Sequence, residues 1–211
     1  MAVSIGAASC LAVPSSAHAA ESLPVDRAVA ALPGATESRE GYEPAAFAHW
    51  NSGSDAGDAC DTQGEVLIAE AVSAPETGAE CALSGGTWWS YYDGREVDSA
   101  AALAVDHLVP TAEAWDSGAS GWTAERREQY ANDQGDPRVL VAVSAAAHRD
   151  KADQDPAQWL PADPGATCRY LTEWVAVKLR WQLTADAEEQ RALTRLAEGC
   201  QGAEVTYEPV P

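Results

Sequence analysis

The placement of the cysteines limits this chain more than any other feature. Five are present, and the first, Cys10, lies in an apolar run of small residues that closes on Ala17-His18-Ala19. Such a run followed by Ala-x-Ala is the apolar core and cleavage pattern of a secretory signal, so residues 1–19 read as a signal peptide cut after Ala19. The positive stretch that opens most signals is missing here, which puts the expected start upstream. A lipid anchor at Cys10 is disfavoured, because no aliphatic residue precedes it at the usual spacing. Cleavage leaves Cys60, Cys81, Cys168 and Cys200. An even number in an exported chain implies two disulfides, and four cysteines allow three pairings. The pairs Cys60–Cys81 and Cys168–Cys200 are favoured, since each brackets one local unit. A loop closed in this way contributes roughly 3–4 kcal/mol. Zinc-thiolate binding is disfavoured, because no two cysteines stand in C-x₂₋₄-C spacing.

A length of 211 residues suits one domain. Residues 20–40 are rich in Ala, Glu, Ser and Pro without a clear period, and read as a flexible leader. Residues 41–205 read as the domain. No apolar run approaches the ~20 residues that cross a bilayer, so a multi-pass membrane protein is excluded and no stable insertion is expected after signal cleavage. The net charge of −20, from 13 Lys and Arg against 33 Asp and Glu, excludes a protein that coats nucleic acid by charge alone. Ten of those 13 cations stand at or after position 126. A phosphate-facing surface is therefore expected among Arg126, Arg127, Arg138, Arg149, Lys151, Lys178 and Arg180. Most of the eight tryptophans read as packing residues.

Local patterns sketch an α+β chain. Glu65–Val72 fits a short helix or a strand equally well. Gly85-Gly86 and Asp93-Gly94 bound a strand-like stretch. Ala104–Val109 is a short apolar run ended by Pro110, and Thr111–Trp115 reads as a short helix. Arg138–Val143 is β-like, and Ser144 reads as the N-cap of a helix running through Asp150. Tyr170, Trp174, Val177 and Trp181 recur at helical spacing. Leu193, Leu196 and Ala197 line a second helix after a Thr184 cap. Cys168 opens this hairpin and Cys200 closes it.

The expected mature chain holds three histidines, His49, His107 and His148. Asp106-His107 sits in the first apolar run, Asn132 in the connection, and His148 on the helix after the second run. That order suits phosphodiester hydrolysis, where an anionic ester repels hydroxide and the site needs a base and a Lewis acid. His107 can deprotonate a water near neutral pH. The carboxamide oxygen of Asn132 is expected to accept the other ring N–H and fix its orientation. Asp106 and His148 are expected to hold one divalent cation, and Arg149 and Lys151 to contact phosphate oxygens. Taken singly, each residue has an ordinary structural reading: a turn, a solvated helix position, a satisfied core group.

Longer matches add to this. Phe47-Ala48-His49-Trp50, Cys60-Asp61-Thr62, Gly86-Thr87-Trp88, Tyr92-Asp93-Gly94, Val105–Pro110, Ala112–Ala119, Tyr130–Asp133, Lys151–Pro156 and Trp174–Trp181 occur in order. Through them the chain resembles the secreted actinobacterial HNH endonuclease family, related to the C-terminal nuclease domain of GmrSD-type restriction enzymes. The resemblance covers about Gly41 to Cys200. It implies a ββα-metal (His-Me finger) core, cleavage of DNA or RNA by an activated water, and one divalent cation, usually magnesium. It maps His107 to the general base, Asn132 to its orientation, and Asp106 and His148 to the metal, and it places a lysine at Lys151. It also implies a protein working outside the cell. Three positions depart from the family pattern. Relatives carry Asn where His148 stands, and imidazole favours manganese or another transition metal over magnesium. They carry Arg where this chain has Pro44 and Gln63, two phosphate contacts worth about 1.5–3 kcal/mol each if charge-assisted. A catalytically impaired binding or envelope module is the alternative that these losses leave open, and another extracellular metallohydrolase is a weaker one. His49-Trp50 reads as part of the structural surroundings of the site, not its chemistry.

Overall fold

The computed structural model describes residues 20–211 except Ala56 and Asp58, so the expected signal peptide at 1–19 lies outside the described residues. In chain order the elements are β1 (Glu21–Pro24), α1 (Val25–Ala31), α2 (Thr62–Ala69), β2 (Glu76–Thr77), β3 (Leu83–Ser84), β4 (Trp88–Ser90) and β5 (Arg95–Val97). They continue with β6 (Leu103–His107), α3 (Thr111–Asp116), α4 (Ala124–Ala131), β7 (Leu140–Ser144), α5 (Ala145–Lys151), α6 (Thr167–Trp181), α7 (Ala187–Gly199) and β8 (Glu204–Tyr207). The class is α+β: the strands form the antiparallel pairs β1–β8, β2–β3, β4–β5 and β6–β7, with helices around them.

The unit that carries the site is β6–β7–α5. Val141, Ala142 and Val143 are buried along β7, because α2 and α5 both pack against this strand. A strand covered on both faces reads as an unbroken apolar run, not an alternation. The register runs from Leu103 opposite Ser144 to His107 opposite Leu140. Ser144 ends the strand and caps the helix, its Oγ accepting the Ala147 N–H at 3.1 Å, as its side chain suggested. Asp93, in the turn between β4 and β5, accepts the hydroxyls of Ser144 at 2.7 Å and Ser90 at 2.6 Å. That turn is thereby fixed to the β7–α5 junction. Helix α5 stops after two turns, where Ala152 takes a φ of 48°.

The C-terminal hairpin has the expected form. Tyr170, Trp174, Val177 and Trp181 are buried on α6, and Leu193 and Ala197 on α7. The Cys168–Cys200 disulfide closes it, and Cys60–Cys81 joins the approach to α2 to the segment before β3, so both favoured pairings are present. The cap of α7 is Asp186, not Thr184: its Oδ1 accepts the N–H groups of Glu188 at 2.8 Å and Glu189 at 2.7 Å. Thr184 is engaged elsewhere, donating its hydroxyl to the Ser117 carbonyl at 3.1 Å. The undecided stretch near Glu65 is helical. Asp61 caps it by accepting the Gly64 N–H at 2.8 Å.

The leader expected at 20–40 departs from its reading. Residues 21–24 pair with β8, and α1 buries Val25, Ala28 and Val29, with Leu32 following, against α6 and α7. Positions 25, 28, 29 and 32 are an i, i+3, i+4, i+7 set. The composition of the segment masked that period, since alanines supply much of the remaining face.

Candidate active site

Asp106 and His107 are neighbours at the end of β6, and alternation along a strand sends adjacent side chains to opposite sides. Asp106 turns toward α5. Its Oδ2 accepts the Tyr92 hydroxyl at 2.8 Å and lies 2.7 Å from the Lys151 ammonium. Its Oδ1 faces His148 Nε2 at 3.4 Å. The two expected metal residues are therefore brought together, with His148 on the solvent side and Asp106 buried. Burial, and then the Asp106 charge, hold the Tyr92 hydroxyl well above its ordinary value, so it remains a donor.

His107 turns toward α4. Its Nε2 lies 2.9 Å from the Ala131 carbonyl oxygen. A carbonyl can only accept, so Nε2 carries the proton and Nδ1 keeps the lone pair. The ring lies between two aromatics, nearly parallel to Trp50 at 5.4 Å and to Tyr130 at 6.1 Å. Burial pushes its imidazole down to about 4, with His49 and Lys151 pushing the same way. A neutral imidazole with one fixed N–H and one free lone pair has the form a general base requires.

Asn132 does not bond the His107 ring. Its Oδ1 accepts the Asn51 N–H at 2.9 Å, and its Nδ2 donates to the carbonyls of Ala48 and Glu128, each at 2.8 Å. As the residue closing α4, its side chain staples segment 48–51 to the helix end, and the preceding residue's carbonyl orients His107 instead. Lys151 is also not where a phosphate could meet it. It is fully buried, ion-paired with Asp106, and donates to the His107 carbonyl at 3.1 Å. Helix α5 is short, and its last turn points this side chain into the strand pair.

Most of the expected cationic surface is likewise used within the fold. Lys178 is fully buried between Glu113 at 2.8 Å and Glu189 at 2.5 Å. Arg180 binds Asp133, Arg138 binds Asp136, and Arg127 donates to the carbonyls of Ala46, Ala119 and Trp122. Arg126 lies over the Trp122 ring and donates to the Pro211 carbonyl. Arg149 is exposed and has no ion pair or hydrogen bond among the described residues, so it is the cation of this group left for a ligand.

Asp106 and His148 are the residues here that could hold one divalent cation. A carboxylate oxygen and an imidazole nitrogen 3.4 Å apart can share one ion, and a magnesium-like ion held by few protein ligands takes water and substrate oxygens for the rest. Groups of three carboxylates lie elsewhere, at Glu37–Glu113–Glu189 and Glu37–Asp155–Asp186, and the first is already served by the Lys178 ammonium. The sequence placed His49-Trp50 around the site, and Trp50 and His49 do lie against the His107 ring; it missed Tyr92 as a partner of Asp106. Tyr92 stands 14 residues from its carboxylate and Trp50 57 from the ring it covers, beyond the reach of local spacing. Their one visible signal was membership of the segments Phe47–Trp50 and Tyr92–Gly94.

The family model for the C-terminal domain of GmrSD restriction endonucleases matches residues 76–196, more than half of the chain. A protein of Arthroderma benhamiae described as an uncharacterized secreted protein is 35% identical over 162 residues, covering 77% of each chain. No solved structure matches significantly. The matched span holds Asp106, His107, Asn132 and His148, and the chain belongs to the family of the GmrSD restriction endonuclease C-terminal domain.

Proposed function

We propose that the protein is a secreted, metal-assisted endonuclease of the HNH type that hydrolyses phosphodiester bonds of nucleic acid. One observation carries this reading. The strand end that presents His107 with a free Nδ1 also presents Asp106 to His148, 3.4 Å away. Family membership supports a nuclease, and the two disulfides together with the secreted relative support an extracellular site of action.

In this reading His107 Nδ1 takes a proton from the attacking water, while its Nε2–H bond to Ala131 strengthens as the ring becomes positive. Trp50 and Tyr130 keep the ring from rotating. Asp106 and His148 would hold the divalent cation, magnesium or manganese, which when bound offsets charge on the phosphate and on the leaving oxygen. Tyr92 and Lys151 fix the Asp106 carboxylate so that only Oδ1 faces the ligand side. Arg149 contacts a phosphate oxygen.

A second reading, a catalytically impaired binding module, is favoured by the Lys151 ammonium, which already neutralises much of the Asp106 charge. Supercoiled plasmid incubated with a panel of divalent ions separates the two. Nicking that needs a metal ion and falls by about 10² or more in His107→Ala supports the enzyme. Correctly oxidised protein that binds metal or DNA without nicking leaves the module.

A further inference from the structure

We propose that His49 is a second catalytic imidazole, which protonates the leaving oxygen while His107 deprotonates the water. The inference rests on the nuclease reading above and assigns a role that reading leaves open. The segment carrying His49 is fixed at both ends. Phe47 is buried, Ala48 and Asn51 are both bonded by Asn132, and the Asn51 amide donates to Glu128 at 2.7 Å. The His49 ring stands edge-on to Trp50 at 5.0 Å and to His107 at 5.7 Å. Its Nδ1 lies 2.7 Å from the Phe47 carbonyl, so that nitrogen is the donor and Nε2 is the ring atom left for a ligand. His49 itself is exposed, while the neighbouring His107 is buried.

The chemistry gives such a group a role beside the cation, since a leaving oxygen whose charge is offset still ends as an alcohol that has gained a proton. As the water oxygen bonds to phosphorus, one O–H bond breaks and its proton passes to His107 Nδ1. The bond from phosphorus to the leaving oxygen breaks with its electron pair on oxygen, and the Nε2–H of a protonated His49 passes to that oxygen. One proton is taken and one given, and exchange with solvent returns both rings to their starting forms. Nearby cations cannot supply this proton. Arg149 does not deprotonate in a protein, and Lys151 is buried on Asp106. His148 faces the same carboxylate. Imidazole is the side chain suited to giving a proton at neutral pH.

The test compares two substrates in the oxidised protein with its activating metal ion. One is plasmid DNA, whose leaving alcohol must be protonated. The other is a p-nitrophenyl phosphodiester of thymidine, whose leaving phenolate needs no proton. His49→Ala and His49→Asn are expected to lower DNA cleavage by about 10² or more, within the usual span for acid catalysis. Both should leave release of p-nitrophenolate within about threefold of the parent. The Asn variant can keep a hydrogen bond from its side-chain N–H to the Phe47 carbonyl and guards against simple misfolding, which a melting curve also reports. Equal losses on both substrates, or unimpaired DNA cleavage, would overturn the proposal. If the parent protein cleaves neither substrate, the nuclease reading falls and this proposal with it. If His107→Ala loses both substrates while His49→Ala loses neither, only the role of His49 falls.

Discussion

Lys151 shows how far a residue's neighbours can redirect its chemistry. In the sequence it stands beside Arg149 on a basic helix, and in the fold it is sealed against Asp106 with no exposed surface. Burial draws its ammonium below the ordinary lysine value, and the Asp106 charge draws it back. Lys151→Met should therefore act on stability, removing one partner of a buried ion pair at a cost of about 3–5 kcal/mol. It should leave the salt dependence of DNA binding unchanged. Arg149→Ala should do the reverse, with normal melting and a log–log salt slope reduced by about 1. Binding measured across a salt series checks both, and a steeper change for Lys151→Met would contradict its structural role. Asn132→Ala should cost roughly 1–3 kcal/mol through the orphaned Asn51, Ala48 and Glu128 backbone groups, and lower turnover by loosening the segment that carries His49 and Trp50. Metal affinity should hold, because Asn132 touches neither Asp106 nor His148. Calorimetric titration with manganese would expose a large loss.

At the scale of elements, a buried charge cluster joins the loop before Tyr42 to α3, α6 and α7. Lys178 on α6 binds Glu113 on α3 and Glu189 on α7, and the Ser117 hydroxyl oxygen and the Thr184 carbonyl are its further acceptors. Glu37 adds a third carboxylate, within 4.8 Å of the other two but with no ion pair to the ammonium. Burial, then Glu113, pushes Glu37 up to about 8, and burial pushes Glu189 up to about 7. Both values lie above the ordinary 4.5. A carboxyl whose folded pKa is raised contributes its stability in full below about 4.5 and loses it as pH climbs through the folded value. The melting temperature should thus fall between about pH 5 and pH 8.5. Glu37→Gln should show a shallower fall and a higher midpoint at the alkaline end. Parallel curves for the two proteins would refute the assignment. The same hairpin depends on its staple, and replacing Cys168 and Cys200 by alanine should cost about 3–4 kcal/mol, read from denaturant unfolding.

Across the whole molecule, the two ends of the described chain meet. β1 pairs with β8 along its full length, and α1 lies against α7. Removing residues 20–32 would uncover Val205 and the α7 face beneath Val25, Ala28 and Val29. Burying one such side chain is worth about 1.5–3 kcal/mol, so the truncated protein should melt well below the parent, and an unchanged melt would make the segment dispensable. The charge of −20 meets a site whose cations are nearly all consumed by internal pairs. Affinity for nucleic acid should therefore be modest, with a salt slope reflecting one or two phosphate contacts at ~0.9 each. A slope several times larger would show a cationic surface outside the Arg149 region.

The sequence by itself determined what neighbouring residues decide among themselves. The Ser144 cap, the short α3, the α6 stripe and the order β6–β7–α5 follow from periods and spacings of tens of residues or fewer, and spacing favoured the two observed disulfide pairings among three. It also led to the expectation that Asp106 and His148 meet, since a helix that follows a strand's partner tends to pack back on the pair, and the fold brings them within 3.4 Å. The α1 stripe at 25, 28, 29 and 32 was equally local, but apolar alanines at 30 and 31 on the exposed face blur its period. What only the tertiary structure decided is which partner each polar group found. The Ala131 carbonyl took the His107 ring while Asn132 held the Phe47–Asn51 segment, Lys151 turned inward, and His49 and Trp50 arrived beside a histidine some 57 residues away. A buried donor or acceptor must be satisfied by whatever the whole fold brings within 3 Å or so, and no local pattern records which group that will be.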